Sequence, residues 1–179
     1  EMAKAPPLHT TAVPSPWVQR FAAHIPAHAT ALDLASGSGH NGRWLMGRGL
    51  HVTFLDRDVS AIADLAPAAD AEIIKADLET GERFPILGRQ FDCVVVTNYL
   101  WRDILDDICK AVTPGGWLIY ETFGTGNEAF GRPRNPDFLL RPGELADTVR
   151  DSFRIIGYEH GQRDIPSPAV IQRLAAIRQ

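Results

Sequence analysis

The sequence has few cysteines and no long hydrophobic run, and each shortage excludes a class of protein. Two cysteines in 179 residues, Cys93 and Cys109, are too few for a disulfide framework, so we predict two buried free thiols. No apolar run approaches the ~18 residues of a membrane span. The first ten residues lack the apolar core of a signal peptide. We therefore expect a cytoplasmic protein with no membrane partner.

Basic residues do not outnumber acidic ones. The chain has 18 Lys and Arg against 22 Asp and Glu, for a formal net charge of −4. Because the basic residues are interspersed with acids, we predict no nucleic-acid partner. The six histidines show no ligand spacing, so we predict no metal site. The phosphate-binding pattern Gly-x-x-x-x-Gly-Lys-Ser/Thr does not occur, which excludes a P-loop. Nothing in the sequence indicates the oligomeric state.

The length suits one α/β domain with a single core. We predict a flexible N-terminal segment over residues 1–14 and one domain over residues 15–179. Ser15 followed by Pro16 is typical of the start of a helix. Short apolar runs bounded by turn residues predict strands buried on both faces, and segments of helical periodicity lie between them. The predicted strands are 31–35, 51–55, 72–76, 91–97 and 116–122, and the predicted helices include 41–48, 58–66 and 101–112.

Two further strands are predicted in the tail, over residues 152–160 and 169–178. The loop that joins them is too short for a helical crossover, so they should pair antiparallel at the edge of the sheet. Strand–helix alternation elsewhere predicts parallel strands with helices on both faces. The expected fold is a three-layer, doubly wound, mostly parallel seven-stranded sheet of the Rossmann-like type, with an antiparallel C-terminal edge strand.

A glycine loop follows the first predicted strand in the sequence ALDLASGSGHNG. Residues 37–42 fit the Gly-x-Gly-x-x-Gly pattern of dinucleotide-binding loops. Asp33 lies just upstream, where its charge would oppose a pyrophosphate. The same carboxylate would favour the ammonium group of S-adenosylmethionine, which carries no phosphate. The third glycine, Gly42, falls inside the following helix and is expected to be incidental.

Two more acids follow the next two strands. Asp56 ends the second strand, where a carboxylate accepts hydrogen bonds from ribose hydroxyls in either ligand class. Asp77 follows the third strand, where it would accept from the adenine amino group, and the backbone N–H of Leu78 would face the ring. Three acids at three successive strand ends predict a nucleoside site.

The series ALDLASGSG, VTFLDRD, IIKADLE, FDCVVVTNYL and VTPGGWLIYETF resembles the successive motifs of class I S-adenosylmethionine-dependent methyltransferases. The resemblance covers roughly residues 15–122. The chain looks most like the tellurite-resistance methyltransferase group, because it is compact and ends in a helix containing Gly143-Glu144-Leu145 and two closing strands. Members of that group often have Gly-Cys-Gly where this chain has Ala35-Ser36-Gly37.

The resemblance implies a set of residues that bind S-adenosylmethionine. The glycine loop and Asp33 would hold the methionine part, Asp56 the ribose, and Asn98 the methionine end near the acceptor. Methyl transfer from a sulfonium is an in-line displacement, so alignment and exclusion of water matter most. No general base is identified, and Asn98 and Tyr99 are the candidates for positioning the acceptor. The implied cofactor-binding residues are Asp33, Ala35, Ser36, Gly37, Ser38, Gly39, Asp56, Arg57, Asp77, Leu78 and Asn98.

The irregular connection 123–143 has the composition of a lid, with four glycines and three prolines. Its arginines Arg132, Arg134 and Arg141 are candidates for binding an anionic acceptor. His9 and Trp17, nearer the N-terminus, are candidates for closing over the same pocket. The predicted acceptor is a small molecule or an inorganic oxyanion. A nicotinamide-dependent oxidoreductase with the same loop and a non-catalytic S-adenosylmethionine-binding module remain the alternatives.

Overall fold

The computed structural model describes residues 13–179, so His9 and most of the predicted N-terminal segment lie outside the described residues. Helical segments and strands alternate from residue 30 to residue 123, except that residues 76–90 form no helix, and two long strands follow near the C-terminus. The elements are α1 Pro16–Ala22, β1 Thr30–Leu34, α2 His40–Gly47, β2 His51–Asp56, β3 Ala71–Lys75, β4 Phe91–Thr97, α3 Leu105–Lys110, β5 Val112–Phe123, α4 Glu144–Val149, β6 Phe153–Arg163 and β7 Ala169–Arg178. Short 3-10 helices occur at Ser60–Leu65, Arg102–Ile104, Asn127–Ala129 and Pro136–Phe138.

The seven strands form one sheet in the order β3-β2-β1-β4-β5-β7-β6. The first five are parallel to one another, and β7 runs antiparallel to both β5 and β6. This confirms the predicted mostly parallel seven-stranded sheet. The strand that opposes its neighbours is next to the edge, and β6 itself forms the edge.

The core lies on both faces of the sheet. Val94 and Val96 of β4 belong to one apolar cluster, and Cys93 and Val95 belong to the other. Successive side chains of a strand point to opposite faces, so this alternation places a helix layer on each side. Both cysteines are buried and unpaired, as predicted, and burial raises the pKa of Cys109 to about 11.

Two predicted helices are shorter than expected. Residues 60–65 form a 3-10 helix, and the segment 101–112 contains a 3-10 turn followed by the six residues of α3. Val112 has helical spacing in the sequence, but its backbone pairs with Phe91 as the first residue of β5. Val112 therefore belongs to β5, although its helical spacing predicted that it would end the preceding helix. In residues 13–179 no helix is long and apolar enough to cross a membrane.

Candidate active site

The turn from β1 to α2 carries the glycine loop. Ala35, Gly37 and Gly39 all have positive φ angles, of 54°, 54° and 76°. Such angles suit glycine, so Ala35 holds a conformation that a residue with a side chain rarely adopts. The N–H of Gly37 donates to Oδ2 of Asp56 at 2.9 Å. The carboxylate at the end of β2 therefore fixes the loop, which the sequence did not indicate.

Asp33 lies beneath this loop, only 2% exposed, and it lines neither of the two cavities described below. Its Oδ2 accepts a hydrogen bond from the N–H of Gly42 at 3.0 Å. Burial raises the pKa of this carboxyl to about 7, the bond from Gly42 partly opposes the rise, and the charge of Asp56 adds to it. The predicted direct seat for an ammonium group is therefore not exposed on a cavity wall.

Gly42 is not incidental, and that prediction was wrong. A Cβ atom at this position would lie 2.2 Å from Cε1 of Phe54 and 2.9 Å from Oδ2 of Asp33. Only glycine allows α2 to pack this closely on β2 while its N–H reaches the buried carboxylate. The third glycine of the pattern serves the packing of helix on strand rather than a ligand.

The first cavity, of about 680 Å³, opens at the carboxyl ends of β2, β3 and β4. It brings together six of the predicted cofactor residues and Tyr99, which was predicted to position the acceptor, and it adds residues that were not predicted to bind a ligand. The predicted ones are Ala35, Asp56, Arg57, Asp77, Leu78 and Asn98, and the lining also includes Glu79, Tyr99, Phe123, Pro133 and Phe138. Ligands of open α/β sheets bind at this end of the strands.

Three carboxylates surround this first cavity. Asp56, Asp77 and Glu79 all line it. Burial, and then the negative charges of Glu79 and Asp77, raise the pKa of the Tyr99 hydroxyl. A pyrophosphate would meet the same negative field, whereas an uncharged nucleoside would not. The cavity is therefore suited to a nucleoside without phosphates.

A second cavity, of about 440 Å³, lies on the other side of the loop. Ala35, Asn98 and Phe123 line both cavities, so the two meet at the end of β4. The other walls come from the start of α1, the glycine loop and the β6–β7 turn. They include Val13, Pro14, Ser15, Pro16, Ser36, Gly37, Ser38, His40, Asn41, Thr97, Glu121, Arg163, Ile165, Pro166 and Arg173.

Charged side chains in the second cavity come from the last strands. Nε of Arg173 donates to Oε2 of Glu121 at 2.8 Å, and Glu121 is only 9% exposed. Arg163 lines the same cavity, and burial lowers the pKa of its guanidinium, while the charge of Glu121 opposes that effect. Two guanidinium groups and one carboxylate give this cavity a net positive lining.

The arginines predicted for an anionic acceptor lie elsewhere. Arg132 and Arg134 are exposed and line neither cavity. Arg141 is also exposed and lies 3.5 Å from the carboxylate of Glu144. These positions correct the prediction, because the arginines of the connection face away from both cavities, whereas Arg163 of β6 and Arg173 of β7 line the second one.

Asn98 has a φ of 56°, and its N–H donates to the carbonyl oxygen of Glu121 at 3.0 Å. It lines both cavities, as a residue between cofactor and acceptor should. Tyr99 lines the first cavity only, so it faces the nucleoside side. Trp17 is 6% exposed in the core, where its Nε1 donates to the carbonyl oxygen of Leu174, and it does not close over a pocket.

The side chain of Asn41 joins two walls of the second cavity by hydrogen bonds. Its Oδ1 accepts from the N–H of Ser15 at 2.8 Å, and its Nδ2 donates to Oγ1 of Thr97 at 3.0 Å. The start of α1 is thereby fixed to the end of β4. One weak signal for the missed residues was present, since Glu121 and Arg173 are charged residues in largely apolar strands.

The side chain of Ser36 indicates whether the glycine loop is suited to binding a ligand. Among residues 13–179, Oγ of Ser36 is the buried side-chain polar atom without a hydrogen-bond partner. A buried hydroxyl of this kind requires a partner. The hydroxyl of Ser36 and the loop N–H of Ser38 fit the carboxylate of an amino-acid group, and the three acids of the first cavity fit a ribose and an adenine.

The fold and the arrangement of this site agree with the predicted S-adenosylmethionine-dependent methyltransferase. Residues 31–116 match the model of the family described as Methyltransferase domain. Over residues 31–116, just under half of its length, the chain therefore carries a methyltransferase domain, and the cofactor of such a domain is S-adenosyl-L-methionine. This match agrees with the resemblance to methyltransferases that the motifs indicate. None of the curated proteins matches the sequence.

Several solved structures share the fold at low sequence identity. TehB from Haemophilus influenzae superposes with a TM-score of 0.77 at 18% identity, covering 96% of this chain and 64% of that one. A TehB-like methyltransferase from Corynebacterium glutamicum gives 0.65 at 18% identity, over 91% of this chain and 87% of that one. The 1,6-didemethyltoxoflavin-N1-methyltransferase of Burkholderia thailandensis was solved with bound 1,6-didemethyltoxoflavin and S-adenosylhomocysteine. It gives a TM-score of 0.70 at 17% identity, covering 92% of this chain and 77% of that one. The chain spans less than two thirds of the first of these proteins.

Among residues 13–179, no group of three or more His, Cys, Asp or Glu side chains is arranged to hold a metal ion.

Proposed function

We propose that this protein transfers the methyl group of S-adenosylmethionine to a small acceptor bound in the second cavity. The observation that carries the proposal is the junction at Asn98, where an acid-lined nucleoside cavity meets a separate cavity of net positive charge. The acceptor is a small molecule or an oxyanion, because both cavities lie within one domain and the second holds about 440 Å³.

The chain's own residues divide the work of holding the cofactor. Asp56 takes the ribose hydroxyls while it keeps the glycine loop in place through Gly37. Asp77 accepts a hydrogen bond from the adenine amino group, the backbone N–H of Leu78 faces the ring, and Arg57 lies beside it. Ser36, Gly37, Ser38 and Gly39 hold the methionine part, and the charge of Asp33 acts on it from beneath the loop.

The cofactor supplies an activated methyl group on a sulfonium, so the protein has to align the acceptor and exclude water. Asn98 lies where the two cavities meet and orients the methionine end towards the acceptor. Phe123 also lines both cavities and, with Pro14 and Ile165, gives the acceptor side apolar walls. Arg163 provides the positive charge for an acidic group of the acceptor.

The cofactor assignment predicts that S-adenosylhomocysteine stabilises the protein and NADPH does not. At ten times its dissociation constant, S-adenosylhomocysteine should add about 1.4 kcal/mol, which raises the melting temperature by roughly 3–6 °C. A thermal-shift measurement with both ligands at equal concentration checks this. Stabilisation by NADPH alone would contradict the nucleoside site proposed here.

The acceptor assignment predicts that Arg163→Gln lowers turnover of acidic acceptors by ~10-fold or more without weakening S-adenosylhomocysteine binding. The acceptor panel consists of tellurite, selenite, small carboxylic acids, thiols and amines, and the assay measures S-adenosylhomocysteine release. Arg132→Gln is the matched control, because Arg132 is exposed and lines neither cavity. Equal loss in both variants, or a panel in which no small acceptor is methylated, would contradict the proposal.

A further inference from the structure

One arginine uses all five of its N–H groups to join three parts of the protein. Arg102 lies in the 3-10 turn Arg102–Ile104, just after β4. Its Nε and Nη2 donate to the two carboxylate oxygens of Glu144 at 2.8 and 3.0 Å. Its remaining N–H groups donate to the carbonyl oxygens of Pro136 and Asp137 at 3.3 and 3.0 Å, and of Leu139 at 2.8 Å.

The carbonyl groups that Arg102 holds flank one aromatic residue. Phe138 lies between Asp137 and Leu139, is 41% exposed, and lines the first cavity. Leu139 and Leu140 next to it are buried and fix the following backbone in the core. The guanidinium thus restrains the backbone on both sides of Phe138, whose ring forms part of the wall of the first cavity.

Glu144 is built to keep Arg102 in this position. Its side chain is 7% exposed and also accepts the N–H of Arg141 at 2.9 Å. Burial favours a neutral carboxyl, but the bonds from Arg102 and from the Arg141 N–H prevail and lower its pKa. A bidentate guanidinium–carboxylate pair in such surroundings has one favoured geometry, unlike an exposed ion pair.

We propose that Arg102 and Glu144 are positioning residues for cofactor binding, acting through Phe138, which they hold as the outer wall of the nucleoside cavity. The inference rests on the proposed place of the nucleoside in the first cavity. A rigid aromatic wall lowers the entropy that binding must remove, so its loss weakens the ligand even where the fold persists.

A double-mutant cycle tests this with S-adenosylhomocysteine as the probe, and isothermal titration gives the dissociation constants. Arg102→Gln and Phe138→Ala should each raise the dissociation constant by ~10-fold, and the double variant should be no more than about twofold weaker than either single one. The cycle is sensitive to positioning, because independent structural defects would give additive effects.

Two matched controls separate this role from general loss of contacts. Arg89→Gln removes a similar bidentate pair, formed with Glu72 at 2.7 and 3.1 Å, away from either cavity. Phe130→Ala removes an equally exposed aromatic ring of the same connection that lines neither cavity. Both variants should bind S-adenosylhomocysteine like the wild type.

Additive effects in the double variant, or an unchanged dissociation constant for Phe138→Ala, would overturn the inference. If Arg102→Gln does not fold, Arg102→Lys replaces it in the cycle, since lysine keeps the charge beside Glu144 but loses the bonds to the three carbonyl oxygens. Failure of the wild-type protein to bind S-adenosylhomocysteine would instead contradict the proposed cofactor site itself.

Discussion

Gly42→Ala is expected to lower the free energy of unfolding by about 3 kcal/mol and the melting temperature by roughly 6–12 °C. The added methyl group would lie 2.2 Å from the ring of Phe54, which is fully buried and cannot retreat. Any shift of α2 that relieved this contact would also lengthen the 3.0 Å bond from Gly42 to Asp33 and leave a buried carboxylate without its donor.

Gly47→Ala is the control for this change. Gly47 ends the same helix, and a Cβ atom there would have no neighbour within 4 Å. Alanine is a better helix former than glycine, so this variant should be more stable by about 0.5–1 kcal/mol. Urea denaturation of the two variants measures both changes. Equal effects of the two substitutions would mean that the contact with Phe54 does not limit the packing of α2.

Asp33→Asn is expected to remove most of the pH dependence of stability between pH 5 and pH 8. The pKa of Asp33 is about 7 in the folded protein and 3.8 as the usual value, so the folded state holds the proton more tightly. The contribution of this carboxyl to stability is therefore fully present below pH 3.8 and is lost as the pH rises through 7. Over that range the loss amounts to as much as about 4 kcal/mol.

The asparagine variant keeps an oxygen that can accept from Gly42, and it carries no charge to bury. We therefore expect it to be more stable than the wild type at pH 8, and the difference to be clearly smaller at pH 5, where only part of the stability has been lost. Its affinity for S-adenosylhomocysteine should nevertheless fall by roughly 3- to 10-fold at pH 8, because the negative charge beneath the loop is lost. Denaturation curves and titration calorimetry at both pH values measure the two effects. A variant that loses stability at pH 8 would contradict the raised pKa.

Much of the fold was predictable because strands buried on both faces leave a clear pattern. The run from Phe91 to Thr97 has the same bounds in the sequence prediction and in the structure. Prediction was poorer where a backbone pairing competes with a helical period, as at Val112. No local pattern shows that Phe91 will be the pairing partner of Val112, so the predicted helix 101–112 is longer than α3.

The nucleoside side of the site was more predictable than the acceptor side. Asp56 and Asp77 follow consecutive strands, and the order of parallel strands brings them to one edge. Glu121 and Arg173 meet through the antiparallel register of β5 and β7, which the sequence does not specify in detail. The role of Gly42 was missed for a similar reason, since it depends on the distance to a ring on another strand.

The place of β7 in the sheet has a consequence for synthesis of the protein. Strand β5 ends at Phe123, but its neighbour β7 begins only at Ala169. At ~5–20 residues per second, the ribosome leaves β5 without that neighbour for roughly 2–10 s. During that time the apolar segment around Ile119 has a free edge that can pair with another nascent chain. We expect chaperone capture of stalled chains to be strongest when synthesis stops between these two strands.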